Sequence, residues 1–122
     1  MKRLIGALLL AFALAGLGCA TTPQTPAQSV YQVQGSYAAA LQIAVTYKQL
    51  PACQQGGPVL CSDKAIVAKL QQADDAAYAA LTAAQNIVRT PGAGANAQTA
   101  IVAAQQATAA LASITATLKV QP

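Results

Sequence analysis

Apolar and small side chains recur every three or four residues along three segments of the chain, and stretches rich in proline and glycine separate these segments. In the first segment the recurring positions are Val30, Val33, Tyr37, Leu41, Ala44 and Tyr47. In the second they are Ile66, Leu70, Ala73, Ala77, Leu81, Ala84 and Val88. In the third they are Ile101, Ala104, Thr108, Leu111, Thr115 and Leu118, with Ala100, Ala107 and Ile114 beside them. This spacing is typical of the buried face of an α-helix, so the pattern predicts three amphipathic helices.

The first helix has clear start and stop signals. Thr25, Pro26 and Gln28 form the sequence of a capping box, in which the threonine and glutamine side chains bond to each other's backbone N–H groups. Pro51 cannot continue a helix, so the first helix is predicted over about residues 26–49.

Start signals of the same kind precede the other two segments. Ser62 or Asp63 is the predicted cap of the second helix, because either side-chain oxygen can accept hydrogen bonds from the free N–H groups of the first turn. Residues 90–95, which read Thr-Pro-Gly-Ala-Gly-Ala, interrupt the pattern. Asn96 is then the predicted cap of the third helix.

A loop with two cysteines lies between the first two helices. Cys53 and Cys61 can pair in an oxidising compartment, and the bond would close a ring that the chain-entropy model values at roughly 2.5 kcal/mol. The spacing does not fit a CxxC redox motif. Two thiols are also too few for a zinc site, and the chain contains no histidine. We therefore predict a structural disulfide between Cys53 and Cys61.

Three helices of similar length with short connections predict an all-α fold. The expected arrangement is an up-down-up antiparallel three-helix bundle with one disulfide-closed loop between helices one and two, forming a domain over residues 26–119. A helical hairpin with a loosely docked third helix is the structural alternative. Because 31 of the 122 residues are alanine, the helices can approach closely but bury little area per residue, and we expect modest stability.

The N-terminus has the pattern of a secretory signal peptide. Lys2 and Arg3 precede an apolar run over residues 4–17, which is shorter than the roughly 20 residues that a membrane-spanning helix needs. Two cleavage positions fit the small residues that follow: before Cys19, as in lipoprotein processing, or after Ala20, as in ordinary signal-peptide removal.

Leu17, Gly18 and Cys19 match the end of a lipobox, and over residues 1–20 the chain resembles bacterial lipoprotein precursors. The resemblance implies a signal peptide over residues 1–18 that ends at a lipidated Cys19, followed by a tether over residues 19–25. It also gives a role to the cysteine left over when Cys53 and Cys61 pair. Since the residue after Cys19 is not aspartate, the resemblance implies a bacterial cell-envelope protein anchored in the outer membrane and facing the periplasm.

Charge and composition argue against several classes of function. Beyond the signal peptide, five Lys or Arg residues stand against three Asp residues, and no run of cations follows the spacing of a nucleic-acid backbone. Without histidine there is no His-based triad or general base. Asp74 and Asp75 are adjacent on a helix and are expected on a solvated face.

We expect Tyr37 and Tyr47 to pack in the core, with Tyr31 outside it and free to contact a membrane or a partner.

These observations predict a non-enzymatic, lipid-anchored envelope protein that acts as a structural or protein-interaction module. The expected partners are the membrane, through the lipid, and either another envelope protein or a second copy of the chain. No nucleic acid, cofactor, catalytic residue or metal site is expected. The alternative is a small membrane-active or phage-related lipoprotein, of lysis or exclusion type.

Overall fold

The computed structural model describes residues 24–58 and 60–118. Within them the chain forms three helices: α1 (Pro26–Lys48), α2 (Lys64–Val88) and α3 (Gly94–Ala116). These helices account for 76% of the described residues, which contain no β-strand. The predicted all-α class and helix number are therefore confirmed. Cys19 and the predicted signal peptide lie outside the described residues.

The start of α1 has the predicted capping box. The Thr25 hydroxyl accepts a hydrogen bond from the Gln28 backbone N–H at 3.3 Å, and the Thr25 N–H donates to Oε1 of Gln28 at 2.9 Å. Two N–H groups that the helix itself cannot satisfy are thereby paired. At its other end α1 stops at Lys48, before Pro51.

Asp63 provides the cap of α2. Its Oδ1 accepts hydrogen bonds from the backbone N–H groups of Ala65 at 2.7 Å and Ile66 at 3.1 Å. The negative carboxylate also suits the positive end of the helix dipole. Ser62, the other predicted cap, instead donates its hydroxyl to the Leu50 carbonyl at 2.9 Å, so it closes the preceding loop.

The prediction that Asn96 caps α3 is wrong. The helix begins two residues earlier, at Gly94, and its N-cap Ala93 has no side chain able to bond to the first turn. The Ala97 N–H donates to the Ala93 carbonyl at 3.1 Å, so Asn96 already lies inside the first helical turn. Helical backbone hydrogen bonds can thus begin without a side-chain cap, which the local sequence pattern does not reveal.

Two clusters of buried side chains show how the helices run. One cluster joins the start of α1, the end of α2 and the start of α3; its buried members are Val30, Val33, Leu81, Ala84, Ile101 and Ala104. The other joins the end of α1, the start of α2 and the end of α3, and its buried members are Ala40, Ala44, Tyr47, Leu70 and Leu111. Successive helices must therefore run in opposite directions, which confirms the up-down-up antiparallel bundle.

The third helix is fully part of this core. Ile101 and Leu111, both in α3, are the largest side chains that are almost completely buried among the described residues. Ala77 and Ala84 of α2 are also completely buried, so the helix backbones approach closely at these positions. The alternative of a loosely docked third helix is therefore wrong.

Candidate functional site

A shallow groove runs between α1 and α2. In the half nearer the disulfide it has a volume of about 140 Å³, and apolar atoms of Leu41, Val45, Val67 and Leu70 line it together with Lys48, Gln71, Asp74 and Asp75. A second depression between the same two helices lies nearer the start of α1, where Tyr31 and Gln34 face Gln85, Val88 and Arg89. We call these two depressions together the α1–α2 groove. Among the described residues it combines exposed aliphatic surface with charges of both signs.

A hydrogen bond between the two helices lies midway along the α1–α2 groove. The Tyr37 hydroxyl donates to Oδ1 of Asp74 at 2.6 Å, and both side chains are half-buried. Burial of the phenol, followed by the hydrogen bond and by the negative charge of Asp74, raises the pKa of Tyr37 to about 12. The expectation that Asp74 lies on a solvated face is thus wrong, whereas Asp75 is exposed as expected.

The most exposed aromatic side chains of the described residues stand beside this groove. Tyr31 on α1 is 76% exposed and Tyr78 on α2 is 62% exposed. Tyr78 lies one helical turn beyond Asp74, and it is close enough to Tyr37 to contribute to the raised pKa of that hydroxyl. Tyrosine side chains left in water offer a large apolar ring and a hydroxyl to a binding partner.

The Cys53–Cys61 disulfide closes the loop between the end of α1 and the start of α2, as predicted. The Cys53 N–H donates to the Ser62 carbonyl at 3.1 Å, and the Ser62 N–H donates to the Pro51 carbonyl at 2.8 Å. Beneath this loop, the buried Tyr47 accepts a hydrogen bond from the Asp63 N–H at 2.9 Å through its hydroxyl oxygen. These bonds give Cys53 and Cys61 a structural role, since they fix the end of α1 against the start of α2.

Within residues 24–58 and 60–118, one buried side-chain polar atom has no hydrogen-bond partner. The Thr108 hydroxyl on α3 is buried and makes no hydrogen bond. The residue as a whole is only 3% exposed. Thr115, on the same face, donates its hydroxyl to the Ala112 carbonyl at 2.9 Å. A buried hydroxyl without a hydrogen-bond partner costs free energy, so Thr108 is expected to lower the stability of the bundle.

The described residues do not bring together a set of metal-binding groups. No three carboxylate or thiol groups within residues 24–58 and 60–118 lie close enough to hold a metal ion. Asp74 and Asp75 are successive residues of one helix, so their side chains point about 100° apart. Their carboxylates therefore do not converge as a catalytic acid–base pair would. The α1–α2 groove places aliphatic and charged groups side by side, with tyrosine rings next to them.

The sequence pattern placed Tyr37 on the buried face of α1 but gave no partner for its hydroxyl. A buried phenol needs a hydrogen-bond acceptor, and Asp74 is one of only three acidic residues in the whole chain. Together these two facts are the signal that could have suggested the pair. Tyr78 falls outside the recurring apolar positions of the second segment, so the pattern alone does not indicate its place near the groove.

Comparison with known proteins adds no relative: the chain matches no family model, no curated protein and no solved structure. None of the helices described here is both long enough and apolar enough to cross a bilayer.

Proposed function

We propose that this protein is a lipid-anchored protein of the bacterial cell envelope, held through Cys19, that acts as a protein-interaction module and has no catalytic role. The anchor is proposed from the lipobox-like residues 17–19, and the Cys53–Cys61 bond agrees with an oxidising compartment such as the periplasm. The contact chemistry of the α1–α2 groove supports a binding role.

The observation that carries the interaction role is the 62% exposure of Tyr78, one helical turn beyond Asp74, which lines the α1–α2 groove. Tyrosine is enriched where protein interfaces concentrate their binding energy, since burying such a ring removes roughly 150–250 Å² of surface from water. The outward face of α3 offers alanine, glutamine and threonine instead, and it has no charged residue between Thr90 and Leu118. A partner would therefore gain more from the α1–α2 groove, and that partner is another envelope protein or a second copy of this chain.

The anchor is tested by the intact mass of the protein recovered from membranes, before and after reduction. A mass that fits an acylated chain beginning at Cys19, and that rises by one hydrogen atom per cysteine of the Cys53–Cys61 pair on reduction, supports the proposal. A mass that begins at Thr21 without lipid would contradict the anchor.

The binding surface is tested by placing a photoreactive amino acid at Tyr78 in living cells. The matched control carries it at Val102, which is also exposed but lies on α3. We expect a discrete adduct from position 78, identified by mass spectrometry as an envelope protein or a second copy, and none from position 102. Equal labelling from both positions would contradict a specific surface. Lysis on expression would instead favour the membrane-active alternative.

A further inference from the structure

Charge is distributed unevenly along the axis of the bundle. We define its N-terminal end as the end formed by the start of α1, the end of α2 and the start of α3. Most charged side chains of the described residues lie in the other half, towards the disulfide: Lys48, Asp63, Lys64, Lys69, Asp74 and Asp75. In the described part of the N-terminal half, Arg89 alone carries a charge. This half therefore has a nearly neutral surface with a single cation at its end.

Tyr31 and Arg89 lie together at the N-terminal end. They line the same depression between α1 and α2, which has a volume of about 190 Å³ and also includes Gln34, Gln85 and Val88. Tyr31 is the most exposed of the large hydrophobic side chains in the described residues, and Arg89 is exposed at the C-cap of α2. An exposed phenol ring beside a guanidinium matches the layered chemistry of a bilayer surface, where tyrosine settles among headgroups and arginine binds phosphate.

The length of the preceding chain determines what this end can reach. Seven residue steps separate Cys19 from Pro26, which is about 25 Å when fully extended. Helix α1, with 23 residues, is about 35 Å long. A lipid attached at Cys19 would hold the N-terminal end beside the bilayer at high effective concentration. In an upright bundle the disulfide loop would lie at the far end of α1, farther from the bilayer than the extended tether is long.

We propose that the N-terminal end of the bundle rests on the membrane surface, with Tyr31 among the lipid headgroups and Arg89 against lipid phosphates. This inference rests on the proposed lipid anchor at Cys19. It leaves Tyr78, further along the α1–α2 groove, accessible to a protein partner, and it directs the charged half and the disulfide loop away from the bilayer.

The chain has no tryptophan, so a single Tyr31→Trp substitution provides a specific fluorescent reporter. The matched control is Leu60→Trp in the disulfide loop, where the native side chain is 44% exposed. Each variant is prepared as the full lipidated chain, verified by mass, in vesicles of phosphatidylethanolamine and phosphatidylglycerol with bromine near the top of the acyl chains. We expect quenching of Tyr31→Trp to exceed that of Leu60→Trp by about threefold or more, because roughly 25 Å of helix lies between Tyr31 and the end of α1 that precedes the disulfide loop.

Arg89 is tested in the same vesicles. Arg89→Gln combined with Tyr31→Trp should reduce the quenching by about twofold, and this loss should disappear when phosphatidylglycerol is omitted, because a cation is attracted to an anionic surface. The control is Lys64→Gln at the other end of the bundle, which should leave the quenching of Tyr31→Trp unchanged.

Failure of this inference is distinguishable from failure of the proposed anchor. Equal quenching of Tyr31→Trp and Leu60→Trp in a chain with verified acylation would overturn the membrane contact and leave the anchor intact. A photocrosslink from position 31 to an envelope protein, without lipid quenching, would show that a protein covers this end instead. A chain without an acyl group would overturn the anchor and this inference together.

Discussion

The Tyr37 hydroxyl donates a hydrogen bond of 2.6 Å to Oδ1 of Asp74, and this bond joins α1 to α2 across the middle of the α1–α2 groove. The two residues are 37 positions apart in the sequence. Their bond connects half-buried side chains in a bundle whose alanine-rich seams bury little area.

Tyr37→Phe should lower the free energy of unfolding by about 1 kcal/mol, because it removes the hydrogen bond to Asp74 and leaves the ring in place. Urea denaturation followed by circular dichroism measures the effect. Tyr78→Phe is the matched control, since Tyr78 makes no hydrogen bond among the described contacts and is exposed. An equally small change in both variants would show that the Tyr37–Asp74 bond contributes nothing to stability.

The same bond predicts a dependence of stability on alkaline pH. The pKa of Tyr37 is raised from its ordinary value of 10.0 to about 12 in the folded protein. A raised pKa stabilises the fold at pH values below 10, and this contribution is lost as the pH rises through 12, because the unfolded chain releases its proton first. The difference in unfolding free energy between the wild-type protein and Tyr37→Phe should therefore shrink over this range. A difference that stays constant from pH 8 to pH 12 would contradict the raised pKa.

Reduction of the Cys53–Cys61 disulfide should lower the free energy of unfolding by roughly 2.5 kcal/mol, according to the entropy of closing so short a loop. Urea denaturation of the oxidised and reduced protein measures the loss, and an unchanged free energy of unfolding would contradict it. Hydrogen exchange should become faster throughout the bundle, including around Val33, because a less stable fold opens as a whole more often.

Thr108→Val should stabilise the bundle by about 1 kcal/mol, because it replaces a buried hydroxyl that has no partner with a methyl group of similar size. Thr115→Val is the control on the same face of α3. The Thr115 hydroxyl already donates to the Ala112 carbonyl, so its removal should be neutral or slightly destabilising. Thermal denaturation of both variants distinguishes the cases, and destabilisation by Thr108→Val would imply that its hydroxyl has a partner in solution.

Leu111→Ala should lower the free energy of unfolding by about 3 kcal/mol, since the side chain is completely buried and alanine would leave a cavity. Small domains with alanine-rich cores have few other large side chains with which to compensate. Val102→Ala, at an exposed position of α3, should change stability by less than about 0.5 kcal/mol. Similar losses in both variants would indicate that α3 is not anchored through Leu111.

The local sequence determined much of the architecture. Recurrence every three or four residues gave the buried faces of all three helices, including Leu111 and the inward-facing Thr108. The Thr25–Gln28 capping box gave the start of α1, and the number and spacing of cysteines gave the Cys53–Cys61 bond. These features depend on groups within a few residues of one another, so a single stretch of sequence is sufficient to specify them.

Only the tertiary structure decided which side chains meet across helices. The pairing of Tyr37 with Asp74, the unpaired hydroxyl of Thr108 and the shared depression of Tyr31 and Arg89 all depend on how far each helix is rotated about its axis and shifted along it. The helical period identifies a face but leaves this rotation and shift open, because many arrangements of the same apolar stripe bury similar area. The start of α3 ahead of Asn96 was also decided by the folded structure. Backbone hydrogen bonds close its first turn there without a side-chain cap that the sequence could have indicated.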